Sequence, residues 1–274
     1  MQVKDQIKVA EKLLAEFEMP ILPQAVLDLQ KLLSDSVMPC PKKIKQLIAM
    51  NPFLAGELVS LANLPSLSNS IVTKITDIDG AILRLGNDKL KNFIQSIFIK
   101  EMLSGFKIKG LSYHSQEIAL ISAEIVRYTR TIRQDEAYLL GLVHDIGSFV
   151  LSEFDENYGQ TFIGKLVQHR ELEKHELSCY GTTHTALGYV IAQSWNLPPY
   201  IAQVTLLHHS QKISTLKNNK LRNLTAMIEL AHAISIMKNN KIPTNSNILE
   251  MYHECQVILE LTDVQLNDIR LRIN

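Results

Sequence analysis

The chain has 274 residues, of which 46% are hydrophobic, and its 28 basic residues are balanced by 28 acidic ones. This length and apolar content are sufficient for one large domain or two small ones, each with a real core. The balanced charge gives no reason to expect binding to nucleic acid or to an anionic membrane.

Cys40, Cys179 and Cys255 are widely spaced and form no C-x-x-C pair. We therefore expect reduced thiols in a cytoplasmic protein, without a disulfide framework or a zinc site.

Two segments bear on membrane association. The N-terminus, MQVKDQIKVAEKLL, has the pattern of a charged amphipathic helix and lacks the apolar core of a signal peptide. From Leu177 to Gln211 there is no Asp, Glu, Lys or Arg, but two prolines and three histidines interrupt this segment. Such residues argue against a membrane span, so we predict a pair of helices deep in the core of a soluble protein.

Helical periodicity extends over almost the whole chain, and no stretch alternates with the period of a strand. The sequence therefore predicts an all-α protein. Pro41 and Asn51-Pro52 are typical of helix starts, and Gly86 is typical of a left-handed C-cap. The most regular stripe is Leu90, Phe93, Ile94, Ile97 and Phe98.

A boundary between two helical lobes is predicted at residues 107–110, where this stripe has ended at Ser104-Gly105. In the second lobe we predict helices from about Ser112 and Asp135, less regular helices over 154–180, and a helix from Thr182 or Thr183 to Trp195. Another begins at Pro198-Pro199 and ends at His208-His209. Three more are expected at 221–238, 246–259 and 262–272.

One stretch, AYLLGLVHDIGSFVL (137–151), contains adjacent polar residues, His144 and Asp145, in an apolar helical run. Such groups are rarely buried unless they are paired, hydrogen-bonded or bound to a metal. Adjacent residues on a continuous helix diverge by about 100°. We therefore expect this pair to share an ion only if it lies near the edge of the buried face.

Four histidines lie on the apolar stripes of separate predicted helices: His114, His144, His184 and His232. Packed helices turn such stripes towards one core, so the four imidazoles are placed to meet. Each of these histidines alone is typical of a hydrogen-bonded core residue. The four together, with Asp145 beside His144, are equally compatible with a metal site. Imidazole and carboxylate suit Mn, Fe or Zn.

Other chemistries are less well supported. The sequence lacks a G-x-x-x-x-G-K-[ST] loop, a G-x-S-x-G elbow and a strand-bound G-x-G-x-x-G. Cys179 is near His184 in sequence, but a structural thiol is favoured over a nucleophile.

The order of motifs from Glu16 to Lys212 resembles that of the HDOD domain, the HD-related output domain of bacterial signalling proteins. The motifs are PILP (20–23), NPFLAGELVSLAN (51–63), ITDIDGAILRLGNDKLKNFI (75–94), YHSQEIA (113–119), the His144-Asp145 stretch, THTALGYVIAQSWNLP (183–198) and LLHH (206–209).

This resemblance implies an all-α fold in which an N-terminal helical lobe, about 16–108, packs on an HD-like lobe, about 109–212. Residues 1–15 would form a separate N-terminal helix, and residues 213–274 would pack on the HD-like lobe.

The resemblance also implies candidate metal ligands. In active HD enzymes a first histidine, the His-Asp pair and a later aspartate hold the metal. His114 matches the first histidine of that set. His184, together with His208 or His209, matches the histidines of two-metal relatives less directly.

The sequence departs from this pattern at the late aspartate, where the segment MIELAHAIS has His232. Glu229, one turn earlier, is the nearest carboxylate. The H-x-x-x-D-G-x-G-Y-P signature of cyclic di-GMP phosphodiesterases is replaced by HHSQKIST. Loss of an anionic ligand weakens the hold on a divalent ion. The candidate remnant site is therefore His114, His144, Asp145, His184, His208, His209 and His232.

These departures favour a non-enzymatic signal-transduction protein that binds a signalling partner through protein–protein contacts. Its degenerate metal site is expected to retain no metal, with a divalent transition metal as the alternative. Two further functions stay open, a metal-dependent phosphohydrolase and a sensor that binds a small nucleotide or a metal without turnover. No nucleic-acid partner and no membrane span are expected.

Overall fold

A computed structural model of the chain describes residues 2–17, 28–29, 31–33, 41–67, 73–105, 110–166, 168–210, 212–238 and 246–273. All regular structure in these ranges is helical, which confirms the predicted all-α class. The PILP segment and most of the predicted lobe boundary, residues 106–109, lie outside the described residues, as does Cys40.

The helices of the N-terminal half are short except for the last. They are α1 (Val3–Ala15), α2 (Pro41–Ala49), α3 (Pro52–Ala62), α4 (Ile78–Leu85) and α5 (Asn87–Ser104). Residues 28–29 and 31–33 are also helical. The second half contains α6 (Leu111–Thr129), α7 (Gln134–Val143), α8 (Ile146–Phe154), α9 (Tyr158–Lys165), α10 (His169–Tyr180), α11 (His184–Ser194), α12 (Pro199–Leu207), a 3₁₀ turn (Ile213–Thr215), α13 (Asn219–Lys238), α14 (Ser246–Ile258) and α15 (Asp263–Arg272).

Local sequence signals set several helix ends. Asn51 caps α3 by accepting a hydrogen bond from the Leu54 N–H, and Thr183 caps α11 by accepting from the Ala186 N–H. These bonds satisfy backbone donors that the first turn of a helix leaves unpaired. Gly86 separates α4 from α5 with φ +82° and ψ 145°. Its φ is positive, as predicted, but its ψ is not that of a left-handed helical cap.

The predicted continuous helix over 137–151 is interrupted at its polar pair. Helix α7 ends at Val143, α8 begins at Ile146, and Asp145 has φ −104° and ψ 16°. The expectation that His144 and Asp145 diverge by the helical angle was therefore wrong, because the backbone turns between them. This turn allows both side chains to face the same interior space.

Helix α5 joins the two lobes. Leu90, Phe93, Ile94 and Ile97 on its apolar stripe are buried. Burial of such a side chain contributes about 1.5–3 kcal/mol relative to exposure. Helix α5 packs on α3 and α4 in the first lobe and on α7 in the second. Helix α5 of the N-terminal half thus packs directly against helices of the second half.

Two glycines permit the close helix packing of the second lobe. A Cβ on Gly141 of α7 would lie 2.6 Å from Cα of Ala119 in α6. A Cβ on Gly147 of α8 would overlap the carbonyl oxygen of His184 and lie 2.7 Å from the backbone nitrogen of Gly188 in α11. Both positions are therefore packing positions. They bring the backbones of α6, α8 and α11 towards the turn at His144-Asp145.

The terminal helices pack on the second lobe. Helix α1 lies against α11, and the Thr182 hydroxyl donates to the Gln6 carbonyl at 2.9 Å. Helix α13 packs on α6 and α14, and α15 also contacts α6. Among the described residues, the stretch Gln134–Phe154 is long and apolar enough to cross a membrane, and 89% of its apolar window is buried in the protein.

Candidate metal centre

The structure brings all seven candidate residues into one buried cluster, which we call the histidine cluster: His114, His144, Asp145, His184, His208, His209 and His232. They come from α6, the α7–α8 turn, the start of α11, the residues after α12, and α13. Their donor atoms form two sets, and within each set the atoms lie within 4.8 Å of one another. Asp145 belongs to both sets.

The first set contains His114, His144, Asp145 and His232. Nε2 of His144 lies 2.9 Å from Oδ2 of Asp145, and Nε2 of His114 lies 3.5 Å from the same oxygen. The His232 ring is 4.8 Å from the His144 ring and 5.0 Å from the His114 ring, measured between centroids. His232 therefore occupies the space in which the resemblance implied an aspartate.

The second set contains Asp145, His184, His208 and His209. Oδ1 of Asp145 lies 3.2 Å from Nε2 of His208 and 3.5 Å from Nε2 of His184. The His209 ring centroid is 3.9 Å from that of His208. The two oxygens of one carboxylate thus face the two donor sets.

Hydrogen bonds on the outer side of the cluster fix three imidazole tautomers. Nδ1 of His144 lies 2.6 Å from the Gly141 carbonyl oxygen, and Nδ1 of His208 lies 2.7 Å from that of Thr205. Because a carbonyl only accepts, each Nδ1 carries a proton. Nδ1 of His184 donates in the same way to the carboxylate of Glu176, at 2.8 Å. All three rings therefore present Nε2 to Asp145, which is the arrangement of metal-binding histidines.

The protonation of His144 makes its contact with Asp145 unusual. Burial lowers the pKa of His144, and this effect outweighs the nearby carboxylate. A neutral His144 with its proton on Nδ1 has a lone pair on Nε2. That atom lies close to the Asp145 carboxylate without the alignment of a hydrogen bond. Two electron-pair donors 2.9 Å apart in a buried space repel unless a cation lies between them.

Other ionisable groups respond to this environment. Burial alone would raise the pKa of Asp145, but the surrounding imidazoles, His144 first, hold it well below its usual range. Burial alone would lower the pKa of His184, but Glu176 outweighs it and raises that pKa to about 9. Burial, with Asp145 and Glu173 nearby, raises the pKa of Glu229 well above its usual range.

Glu176 is a residue of the site that the sequence reading missed. It is fully buried, accepts from the Tyr158 hydroxyl at 2.6 Å, and also accepts from the His184 backbone N–H at 2.9 Å. One signal was available, since Glu176 follows the buried Leu172 by four residues and so shares its helix face. Glu229, the carboxylate noted near His232, instead contacts Nδ1 of His209 at 3.2 Å.

The donor set suits a transition metal. Six imidazoles and one carboxylate match the preferences of Zn, Fe, Mn or Co more closely than those of Mg²⁺ or Ca²⁺, which favour oxygen ligands. Donors that bind one such ion at about 2.0–2.2 Å stand about 3–4 Å apart. The separations of Asp145 from His144, His208 and His184, at 2.9, 3.2 and 3.5 Å, are compatible with that spacing.

The fold and this cluster define the class of the protein, an all-α protein with an HD-like histidine and aspartate centre. The sequence profile of the HDOD domain matches residues 19–211. The chain therefore belongs to the HDOD domain family, as its motifs indicated.

Comparisons with individual proteins agree with this assignment. The chain is 25% identical over 203 residues to an uncharacterized protein of Treponema pallidum (strain Nichols), with 70% of this chain and 38% of that protein covered. It thus spans well under half of that relative. An HDOD domain protein from Geobacter sulfurreducens has a TM-score of 0.70 at 21% identity, with 99% and 98% of the chains covered. A protein of Shewanella amazonensis SB2B named "Putative phosphohydrolase" has a TM-score of 0.68 at 18% identity and full coverage of both chains.

Proposed function

We propose that this protein is a signal-transduction protein that binds divalent transition metal in its histidine cluster and acts through contacts with a partner protein. The observation that carries the metal is the contact between His144 and Asp145. The tautomer of His144 is fixed by Gly141, so its Nε2 lone pair faces the Asp145 carboxylate at 2.9 Å. A bound cation converts this repulsion into two metal–ligand bonds.

The replacement of the late aspartate by His232 does not remove a donor, since an imidazole is itself a metal ligand. The charge that the aspartate would have supplied has a nearby substitute. Glu176 contacts Nδ1 of His184 at 2.8 Å. Carboxylates in this outer position raise the basicity of the ligating histidine. We therefore propose that metal is retained, in place of the loss that His232 suggested.

A regulatory role is favoured over a catalytic one because the cluster is closed. His114 is the most exposed side chain among the ion pairs of the cluster, at 10%, and the others have 5% or less. A catalytic metal needs an open position for substrate. A metal here would instead hold together α6, the α7–α8 turn, α11 and α13. Its binding free energy would stabilise the lobe. Any surface of that lobe that contacts a partner would be stabilised with it.

The test measures metal content and its effect on stability. Protein purified without chelator should contain a transition metal by mass spectrometry, and removal of that metal should lower Tm. His144→Ala, which removes a donor of the first set, should lose the ion of that set. His253→Ala, at an exposed position on α14, should keep it. Wild-type protein that contains no metal and shows no Tm increase with Zn²⁺, Mn²⁺, Fe²⁺ or Co²⁺ would refute the proposal.

A second candidate function is a metal-dependent phosphohydrolase. The observation that favours it is the position of Asp145, whose two oxygens face two adjacent donor sets, as in centres with two ions. Metal bound there would lower the pKa of a water to yield a nucleophile. The chain's own contribution would be Asp145, which orients both sites, and Glu176, which orients His184. The relative named as a phosphohydrolase is compatible with this function.

Turnover decides between the two functions. Metal-loaded protein is assayed for hydrolysis of bis(p-nitrophenyl) phosphate and of cyclic dinucleotides. Activity that disappears in His144→Ala and persists in His253→Ala would assign the hydrolase. Metal binding without turnover of any substrate would leave the regulatory role as the better account.

A further inference from the structure

A second candidate site lies at the junction of the lobes. It is a cleft with a volume of about 780 Å³, which we call the basic cleft. None of the seven residues of the histidine cluster lines it. Its charged lining residues are Lys89, Arg127, Arg130, Arg133, Glu136 and Lys220. Five cations therefore face one anion in this cleft, although the whole chain carries no net charge.

Two of the cations are already paired and form a fixed wall. Nε of Arg127 lies 3.1 Å from the buried carboxylate of Glu124. The guanidinium of Arg133 donates to both oxygens of the buried Asp135, at 3.0 and 2.9 Å. Arg133 remains 47% exposed, whereas Arg127 is 20% exposed and also donates to the Pro65 carbonyl oxygen at 3.1 Å.

The other three cations have no carboxylate partner within the part of the chain that the structure describes. They are Lys89 of α5, Arg130 after α6, and Lys220 of α13. Lys220 lies over the ring of Tyr200 at 3.9 Å, and the hydroxyl of that tyrosine donates to Glu136 at 2.6 Å. Cations from three separate elements thus line a cleft whose charged lining, among the described residues, includes one carboxylate, that of Glu136. Such an arrangement concentrates anions.

The conformation of Arg130 adds a second observation. Arg130 closes α6 with φ 51° and ψ 27°, in the left-handed region. Glycine or asparagine is favoured there because a longer side chain is strained. The chain has a guanidinium at this position, and that guanidinium lines the basic cleft.

Two helix starts add to this charge. Lys89 is in the first turn of α5, and Lys220 is in the first turn of α13. The first turn of a helix carries partial positive charge. Helix α7 also begins at the cleft, but Asp135 and Glu136 in its first turn offset its charge. Val126 and Ile132 add an apolar wall.

We propose that the basic cleft binds the phosphate groups of a small organic phosphate of nucleotide size. Its volume lies within the range of small-molecule sites, about 300–1,000 Å³. Arginine and lysine are the side chains that pair with phosphate oxygens. The apolar wall formed by Val126 and Ile132 suits the uncharged part of such a ligand. This site does not depend on metal in the histidine cluster.

Occupancy of the cleft would act on the contact between the lobes. Asp135, which holds Arg133, also accepts from Nδ2 of Asn92 in α5 at 2.6 Å. A phosphate that draws Arg133 towards the cleft would weaken its hold on Asp135. Ligand binding would thereby be transmitted to the packing of α5 on α7.

The test uses full-length protein in buffer with EDTA, so that metal in the histidine cluster cannot contribute. GTP, inorganic pyrophosphate and guanosine are compared by calorimetry and thermal shift. GTP and pyrophosphate should bind and guanosine should not, and binding should weaken as salt rises. The variants are Arg130→Gly, which relieves the backbone strain, and Lys220→Gln. Each should weaken GTP about tenfold or more, since a charged hydrogen bond contributes about 1.5–3 kcal/mol.

One control keeps the result specific. Lys8→Gln, on an exposed face of α1, removes a charge on another element and should leave GTP affinity unchanged. Because EDTA is present, failure of GTP binding would count against this site alone and not against the proposed metal function. Absence of GTP and pyrophosphate binding, or unchanged affinity in both cleft variants, would overturn the proposal. Stronger binding to anionic phospholipid vesicles than to GTP would overturn the assignment to a small free ligand.

Discussion

Nε2 of His144 and Oδ2 of Asp145 lie 2.9 Å apart, although a continuous helix would direct two adjacent side chains about 100° apart. The turn between α7 and α8 makes this approach possible. It directs both side chains into the space that α6, α11 and α13 surround. The predictions below test how the fold builds that space and what it holds.

Alanine at Gly147 should destabilise the protein. The new Cβ would overlap the His184 carbonyl oxygen, so α8 and α11 would have to separate. We expect a loss of about 2–4 kcal/mol in the free energy of unfolding, as for other overpacked cores. Urea denaturation measures it.

Gly164→Ala is the matched control, because Gly164 lies in α9 and a Cβ there meets nothing within 4 Å. Alanine is the better helix former, so this variant should be more stable by up to about 1 kcal/mol. Equal effects of the two substitutions would contradict the packing assigned to Gly147.

Metal stoichiometry should report the two donor sets separately. Asp145 belongs to both sets, so Asp145→Ala should lose all bound metal. His114→Ala removes a donor from the first set only, and His209→Ala removes one from the second. Each should retain the ion of the other set. Mass spectrometry of the purified variants measures the content, and the same loss in all three would favour a single site.

Glu176→Gln should weaken metal binding without removing a ligand. Glutamine can still accept from Nδ1 of His184, but it lacks the charge that makes the imidazole a stronger donor. Loss of such an outer partner costs about 10–100-fold in metal affinity. Competition with a chromogenic chelator measures the change. Glu171→Gln, on the exposed side of the same helix, should bind metal as the wild type does.

Removal of Asp135 should weaken the junction between the lobes. Its buried carboxylate joins Asn92 of α5 to Arg133 before α7. Asp135→Ala leaves both donors without this acceptor, and we expect a loss of about 2–4 kcal/mol in the free energy of unfolding. Asp79→Ala removes the exposed pair with Lys45 and should cost about 1 kcal/mol or less. Comparable losses, measured by denaturation, would argue against the role given to Asp135.

Two cysteines should differ in reactivity. Cys179 on α10 is exposed, whereas Cys255 on α14 is buried. Burial raises the pKa of Cys255 well above its usual range, so little thiolate forms. Iodoacetamide on folded protein should label Cys179 and spare Cys255, as read by peptide mass spectrometry. Labelling in denaturant should reach both. Fast labelling of Cys255 in folded protein would contradict the packing of α14.

The sequence by itself determined the helices and many of their ends. Periodic apolar stripes, prolines and capping residues act within a few positions of the chain, so Asn51 and Thr183 could be read without a fold. The apolar stripes supplied His114, His144, His184 and His232 as candidates, and the family motifs added His208 and His209. Packing of the chain had no part in these inferences.

The tertiary structure decided which of these residues meet. The turn at His144-Asp145 lets both side chains face a shared interior, which a helical pattern does not reveal. Glu176 contacts His184 from the preceding helix, and Lys89 lines the same cleft as Lys220, which is distant from it in sequence. Local periodicity sets the face of each helix, whereas long-range packing alone sets the distances between donor atoms. The chemistry of this protein depends on those distances.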